Sequence, residues 1–228
     1  MRTLEITSYI GCPNLCQYCP QDLLTSSYEG NKEMTKEQFR TILNNTPKDV
    51  RIDFSGFSEI FYHPRGAGLI KLASDMGFRM VLYTTLEGFD EIDLDILADV
   101  RFDDVCFHKY PEHDPIDFDR KVLMFTKYIQ QGRIAEITPK YKWSRAGNVW
   151  KTERRKGQFS CLFAKKDFDH NVVLPNGDVY LCCQDYGLKN KIGNLYTTKY
   201  NDLNRAVIIS ASYSENDECI CRYCELAQ

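Results

Sequence analysis

No apolar run in this chain approaches the length of a membrane span, and its opening, Met1-Arg2-Thr3-Leu4-Glu5, is not a signal peptide. Neither sign of charge dominates. Against 32 Asp and Glu stand 29 Lys and Arg, a net charge of −3, which gives no electrostatic case for nucleic acid. The basic clusters, Lys151 to Lys156 and Lys165-Lys166, read as a solvated connector. With 43% hydrophobic and 27% charged residues the composition is that of an ordinary soluble protein. The expectation is a cytoplasmic protein without membrane or nucleic-acid partners, and 228 residues allow one full domain plus a small appendage.

Cysteine is not scarce. There are ten, and nine of them fall within residues 12–19 and 161–224. In a reducing cytoplasm that grouping indicates two metal sites rather than a disulfide lattice. In the first group Cys12, Cys16 and Cys19 are separated by three and then two residues, on a loop after the apolar-patterned stretch 4–10. Thiolates are soft ligands suited to iron–sulfur clusters, zinc or Cu(I). A cubane normally takes four cysteines, and this loop supplies three, so one iron would stay open. Zinc prefers a closed tetrahedral set, and the nearest further candidate, His63, is far downstream.

From residue 3 to 142 short apolar strands alternate with amphipathic stretches. Strands are expected at 3–10, 50–55, 78–84, 104–109 and 133–140, and helices at 35–44, 66–76, 91–99 and 117–130. Thr35 and Gln38 form a capping box for the first of these helices. Such alternation points to a parallel sheet with right-handed crossovers, as a partial barrel or a doubly wound sheet. Alternation along the strands turns Glu5, Thr7, Tyr9, Arg51, Asp53, Ser55, Cys106, His108, Tyr110, Glu136 and Thr138 inward. Interiors that only pack are rich in branched apolar residues; this polar set fits a hydroxylated or aminated small substrate.

The Cys12–Cys16–Cys19 spacing resembles the signature of the radical S-adenosylmethionine (SAM) superfamily. The resemblance implies an α/β fold, a partial TIM-like barrel of about five to six parallel strands, over residues 1–150. It also implies a 4Fe–4S cluster on Cys12, Cys16 and Cys19 whose open iron is chelated by SAM. Ser55-Gly56-Phe57-Ser58-Glu59 resembles the family's Gly-Gly-Glu-Pro element, with Phe57 for the second glycine and Ile60 for the proline. Gly56, Phe57, Ser58 and Glu59 are therefore expected to bind SAM, with Thr84 and Thr85 at the ribose or carboxylate and Tyr18 by the adenine. Arg145, after the fifth strand, suits a bidentate grip on the SAM carboxylate or on substrate.

Cys161, Gly177 and Cys182 are spaced as at the opening of a SPASM or Twitch extension, and Cys221 and Cys224 close it. Asn176-Gly177 between Val172-Val173-Leu174 and Val179-Tyr180-Leu181 is a hairpin signal of the type I′ turn. A helix is expected around Tyr200 to Ile209. Residues 151–228 then form a small hairpin-plus-helix domain in which Cys161, Cys182, Cys221 and Cys224 hold a second 4Fe–4S cluster. Cys183 and Cys219 are left over, either able to replace its neighbour, and a four-Cys zinc site is the competing reading.

The resemblance implies reductive cleavage of SAM to methionine and 5′-deoxyadenosine, driven by a flavodoxin or ferredoxin. The 5′-deoxyadenosyl radical takes a substrate hydrogen atom, and the second cluster accepts an electron. The outcome is an oxidation of a sugar-like or aminocyclitol molecule, as in the Twitch-type 2-deoxy-scyllo-inosamine dehydrogenases. His108, Glu136 or Arg145 are the candidate bases. The alternatives are an epimerase with Cys106 (or, less well placed, Cys183) as hydrogen donor, a peptide-modifying enzyme, and a non-catalytic iron–sulfur electron carrier.

Overall fold

The computed structural model describes residues 2–14, 16, 19–111, 114–137, 144–162, 168–206 and 219–228. Strand and helix alternate through the first two thirds: β1 (Thr3–Ile6), α1 (Gln21–Ser27), α2 (Lys36–Asn44), β2 (Arg51–Phe54), α3 (Gly66–Asp75), β3 (Met80–Thr84), α4 (Glu91–Leu97), β4 (Asp104–Lys109), α5 (Pro115–Tyr128) and β5 (Arg133–Glu136). After residue 168 come β6 (His170–Val173), β7 (Asp178–Tyr180) and β8 (Lys191–Asn194).

All eight strands form one sheet, in the order β5-β4-β3-β2-β1-β6-β7-β8. Every pairing from β5 to β6 is parallel, and β7 and β8 close the far edge antiparallel. Six parallel strands therefore run side by side, with β6 of the C-terminal hairpin as the sixth. The sheet runs unbroken through the boundary between residues 150 and 151.

Helices α2, α4 and α5 start where the side chains of Thr35, Asp90 and Asp114 supply orphan amides with acceptors. Thr35 Oγ1 accepts from the Gln38 amide at 3.2 Å and Gln38 Oε1 from the Thr35 amide at 2.8 Å, a complete capping box. Helix α5 begins two residues before its expected start because Asp114 Oδ1 accepts from the Ile116 and Asp117 amides, with Pro115 in the first turn. One strand face packs against the helices: Leu4, Ile6, Ile52, Phe54, Leu82 and Phe107 are all nearly inaccessible and share a core with Phe39, Ile42 and Ile70.

Three local expectations change. The hairpin turn is not type I′, which needs positive φ at both central residues; Gly177 has φ 81° and Asn176 does not. The Gly177 amide instead bonds Leu174 O at 2.9 Å around Pro175-Asn176, a turn that proline favours and that a left-handed glycine completes. The chain from Tyr200 forms a 3-10 turn over Tyr200–Asp202, and residues 207–209 of the expected helix lie outside the described residues. The fifth strand ends at Glu136, and its expected continuation, with Thr138, also lies outside them. No helix among the described residues is long and apolar enough to cross a membrane.

Candidate functional site: two cysteine sets on one cavity

The inner face of the sheet opens on a cavity of about 610 Å³. Cys12, Cys16 and Cys19 line it, and so do Cys161, Cys182, Cys221 and Cys224. The second set is brought together from three places. Cys161 lies on a short antiparallel bridge to Ala227, Cys182 follows β7, and Cys221 sits in a 3-10 turn over Ile220–Tyr223 with Cys224 just after it. Among the described residues no three His, Cys, Asp or Glu side chains converge tightly enough to hold a single metal ion.

The two leftover cysteines are sorted by their surroundings. Cys183 turns to Glu5 and Gln184, whose Nε2 donates to its sulfur at 3.7 Å. Cys219 is buried beside Cys221 and is not on the cavity wall. Burial raises the thiols of Cys12, to about 11, and of Cys182 and Cys224. They are protonated at neutral pH and become thiolates when metal binds.

Next to the first loop, β2 runs into Ser55-Gly56-Phe57-Ser58-Glu59. Gly56 has φ 74°, and a Cβ there would fall on Thr7 Oγ1 and within 3.2 Å of Ile6 O. Thr7 Oγ1 accepts from the Phe57 amide at 3.0 Å, which anchors the turn to β1. The Glu59 carboxylate is buried, and burial raises its pKa against the hydrogen bonds it accepts. It accepts from Thr84 Oγ1 at 2.7 Å, Thr85 Oγ1 at 2.9 Å, and the Thr85 and Phe61 amides at 2.6 and 3.3 Å. Thr84 and Thr85, expected at the cofactor, line the cavity and also brace Glu59. Tyr18 lies outside the described residues.

The floor is polar, as the strand alternation implied. Glu5 Oε1 meets His170 Nε2 at 2.6 Å, and Glu5 Oε2 accepts from Ser55 Oγ at 2.9 Å and the Gly56 amide at 3.0 Å. Burial would raise the Glu5 pKa, but His170 and these donors hold it low; burial would lower that of His170, and Glu5 carries it up. Beside them Asp53 accepts both arms of the Arg51 fork at 2.6 Å. Burial outweighs that guanidinium and pushes Asp53 up to about 6.

The remaining sequence candidates separate. His108 lines the cavity with its pKa lowered to about 4, chiefly by burial and then by Arg133 and Arg145. Arg145 lines it too, carried by the successive left-handed residues Arg145, Ala146 and Gly147 (φ 53°, 55° and 81°). Cys106 is 1% exposed and is not among the lining residues, and Glu136 is exposed on β5. His63 bonds through both ring nitrogens, to Met34 O and from the Arg65 amide. Sequence reasoning passed over His170, Gln184, Tyr186 and Gln21, all of which line the cavity.

Four polar atoms of this wall are buried without a hydrogen-bond partner among the described residues: Gln21 Oε1, Ser58 Oγ, Arg145 Nε and Gln184 Oε1. Three acceptors and one cationic donor match the ammonium and carboxylate of an amino acid, and the cysteine sets match two clusters. The residues present therefore fit SAM with two iron–sulfur clusters.

Residues 161–225 match the family described as SPASM, an iron–sulfur cluster-binding domain. No curated protein matches the sequence. Among solved structures, BtrN in complex with AdoMet and 2-DOIA is similar at a TM-score of 0.64 and 15% identity, covering 99% of this chain and 96% of that one. Native anSMEcpe with bound AdoMet gives 0.58 and 15%, covering 98% and 86%. Streptococcus suis SuiB bound to precursor peptide SuiA gives 0.56 and 11%, covering 98% and 69%.

Proposed function

We propose, for a chain with the partial-barrel fold of the radical SAM enzymes and a SPASM-type C-terminal segment, the oxidation of a small hydroxylated or aminated substrate. In this reading a substrate hydrogen atom would be removed at the first site and the auxiliary cluster, when bound, would supply an acceptor for the second electron, with the division of labour falling between residues 1–150 and 151–228. One observation carries the proposal: both cysteine sets face the same polar-floored cavity. Cys12, Cys16 and Cys19 would hold the first 4Fe–4S cluster with one iron left for SAM; Cys161, Cys182, Cys221 and Cys224 would close the second. Bound there, the first cluster and SAM supply one-electron cleavage of the S–C5′ bond and a 5′-deoxyadenosyl radical.

The chain's own groups bind and orient. Ser58 Oγ and the Glu59 carboxylate accept from the SAM ammonium, and Thr84 and Thr85 keep Glu59 in place. Phe57, 2% exposed, excludes water. Arg145 presents its free Nε to a carboxylate or to the substrate. The Glu5–His170 pair and Asp53, which Arg51 holds from behind, offer polar partners to hydroxyl and amino groups. His108 is uncharged at neutral pH and is assigned to accept the substrate hydroxyl proton. Cys106 and Glu136 are given no step. A flavodoxin- or ferredoxin-type protein is the proposed reductant.

The ligand named with BtrN, and the near-complete overlap of the two chains, support a small substrate. A peptide substrate is the second reading, on the SuiB–SuiA structure. The test is anaerobic reconstitution followed by reduction in the presence of SAM. About eight irons and release of 5′-deoxyadenosine are expected. Changing Cys12, Cys16 and Cys19 together to Ala should remove about half the iron and all SAM cleavage. Cleavage surviving in that variant refutes the assignment.

A further inference from the structure

The Cys19 sulfur has two hydrogen-bonding neighbours, and they come from different parts of the chain. Gln21 Nε2 lies 3.2 Å from it, at the start of α1, and the Tyr186 hydroxyl lies 3.3 Å away, on the turn that follows Cys182-Cys183. Both are fixed in place. The Gln21 amide also donates to Phe57 O at 2.6 Å, so its nitrogen, not its oxygen, faces the sulfur. The Tyr186 ring is 3% exposed and packs on Phe57 with centroids 4.6 Å apart. Its turn is held by Asp185, whose carboxylate accepts from the Lys189 and Asn190 amides at 3.0 and 2.7 Å.

We infer that Tyr186, together with Gln21, sets the reduction potential of the cluster that Cys19 ligates. The C-terminal segment would then do more than carry the auxiliary site: it would also tune the cluster that cleaves SAM. The inference rests on the assignment of Cys12, Cys16 and Cys19 to a 4Fe–4S cluster. A ligated thiolate carries no proton, so both neighbours must donate to it. Reduction takes one electron from the low-potential reductant, turning the 2+ core to 1+ with no bond made or broken. The added negative charge spreads onto the cysteine sulfurs, where donated hydrogen bonds stabilise it more than in the oxidised state, and the potential rises. Tyr186 and Gln21 act on this redox step through the Cys19 sulfur and not through the substrate.

The test is a potentiometric titration of anaerobically reconstituted full-length protein with dithionite, read by electron paramagnetic resonance. The first cluster is identified by the response of its signal to added SAM. Tyr186→Phe keeps the ring and its packing on Phe57 but removes the donor. The ratio of reduced to oxidised first cluster at a fixed potential should fall about tenfold, equivalent to a midpoint about 59 mV lower. The auxiliary cluster's midpoint should not move, which a general loosening of the fold would not reproduce. Gln21→Leu should shift the same midpoint in the same direction, and it carries the test if Tyr186→Phe loads iron poorly. An unchanged or raised midpoint in these variants overturns the inference and leaves the radical SAM reading standing. Absence of any SAM-responsive signal in the wild type overturns both.

Discussion

Replacing Gly56 with alanine isolates the part of the site built from backbone alone. The residue has φ 74°, so an L side chain there costs about 1–2 kcal/mol from the left-handed conformation. The new methyl group also falls on Thr7 Oγ1, the acceptor of the Phe57 amide. Displacing that hydroxyl leaves a buried amide unpaired, which adds about 1–3 kcal/mol. The sum is about 3 kcal/mol, and for a chain of this length it lowers Tm by about 6–12 °C. Gly77 is the internal control. Its φ is also 74°, yet nothing lies within 4 Å of its added Cβ, so Gly77→Ala carries the conformational term alone, about 1–2 kcal/mol. Melts of the two variants, with SAM affinity measured by calorimetry on reconstituted protein, make the test. Gly56→Ala should melt lower than Gly77→Ala and bind SAM at least tenfold more weakly, while Gly77→Ala binds normally. Equal melting temperatures would show that the Thr7 anchor does not hold the turn.

Changing Cys161 and Cys182 together to Ala should leave SAM cleavage intact and abolish substrate turnover; turnover with zinc in that site would refute its electron-accepting role. Cys106→Ala, buried and off the cavity wall, should cost about 1 kcal/mol in a melt and slow turnover only slightly; solvent deuterium in the product that disappears with this variant would indicate an epimerase instead. Burial lowers the pKa of His63 below its ordinary 6.5, so as pH falls below about 6.5 the unfolded chain takes up a proton that the folded chain resists. Stability should fall from pH 7 toward pH 5, and His63→Gln should flatten that part of the Tm profile; an identical profile would refute the assignment.

Periodicity located the parallel strands because their apolar faces are continuous, and it placed Glu5, Asp53, Ser55 and His108 on the cavity wall by alternation alone. It missed β8, since Lys191-Ile192-Gly193-Asn194 carries a single apolar side chain, and α1, since Gln21–Ser27 is short and buries only Leu24. His170 could not be found that way: its partner Glu5 is 165 residues distant, and only the parallel register of β1 and β6 unites them. Thr84 and Thr85 line the cavity at the strand end where a ligand contact was expected, and their hydroxyls also brace Glu59. Tyr186 and Gln184 lie on a turn whose aim depends on Asp185 binding the backbone amides ahead of it, and no spacing rule encodes that.

The order of synthesis acquires a meaning from the pairing of β1 with β6. Thr3–Ile6 leaves the ribosome well before its neighbour on one side, His170–Val173, which follows about 8–30 seconds later at ordinary elongation rates. Through that interval one flank of β1 is a bare row of amides and carbonyls, the kind of template on which nascent chains mispair, and Glu5 has no imidazole to neutralise it. The loop with Cys12, Cys16 and Cys19 hangs directly from this unfinished strand. Until residue 173 docks, that loop is held by the β1–β2 pairing and by the backbone bonds of Ser8 and Ile10 to Met34 and Lys32, with its β6 side still open.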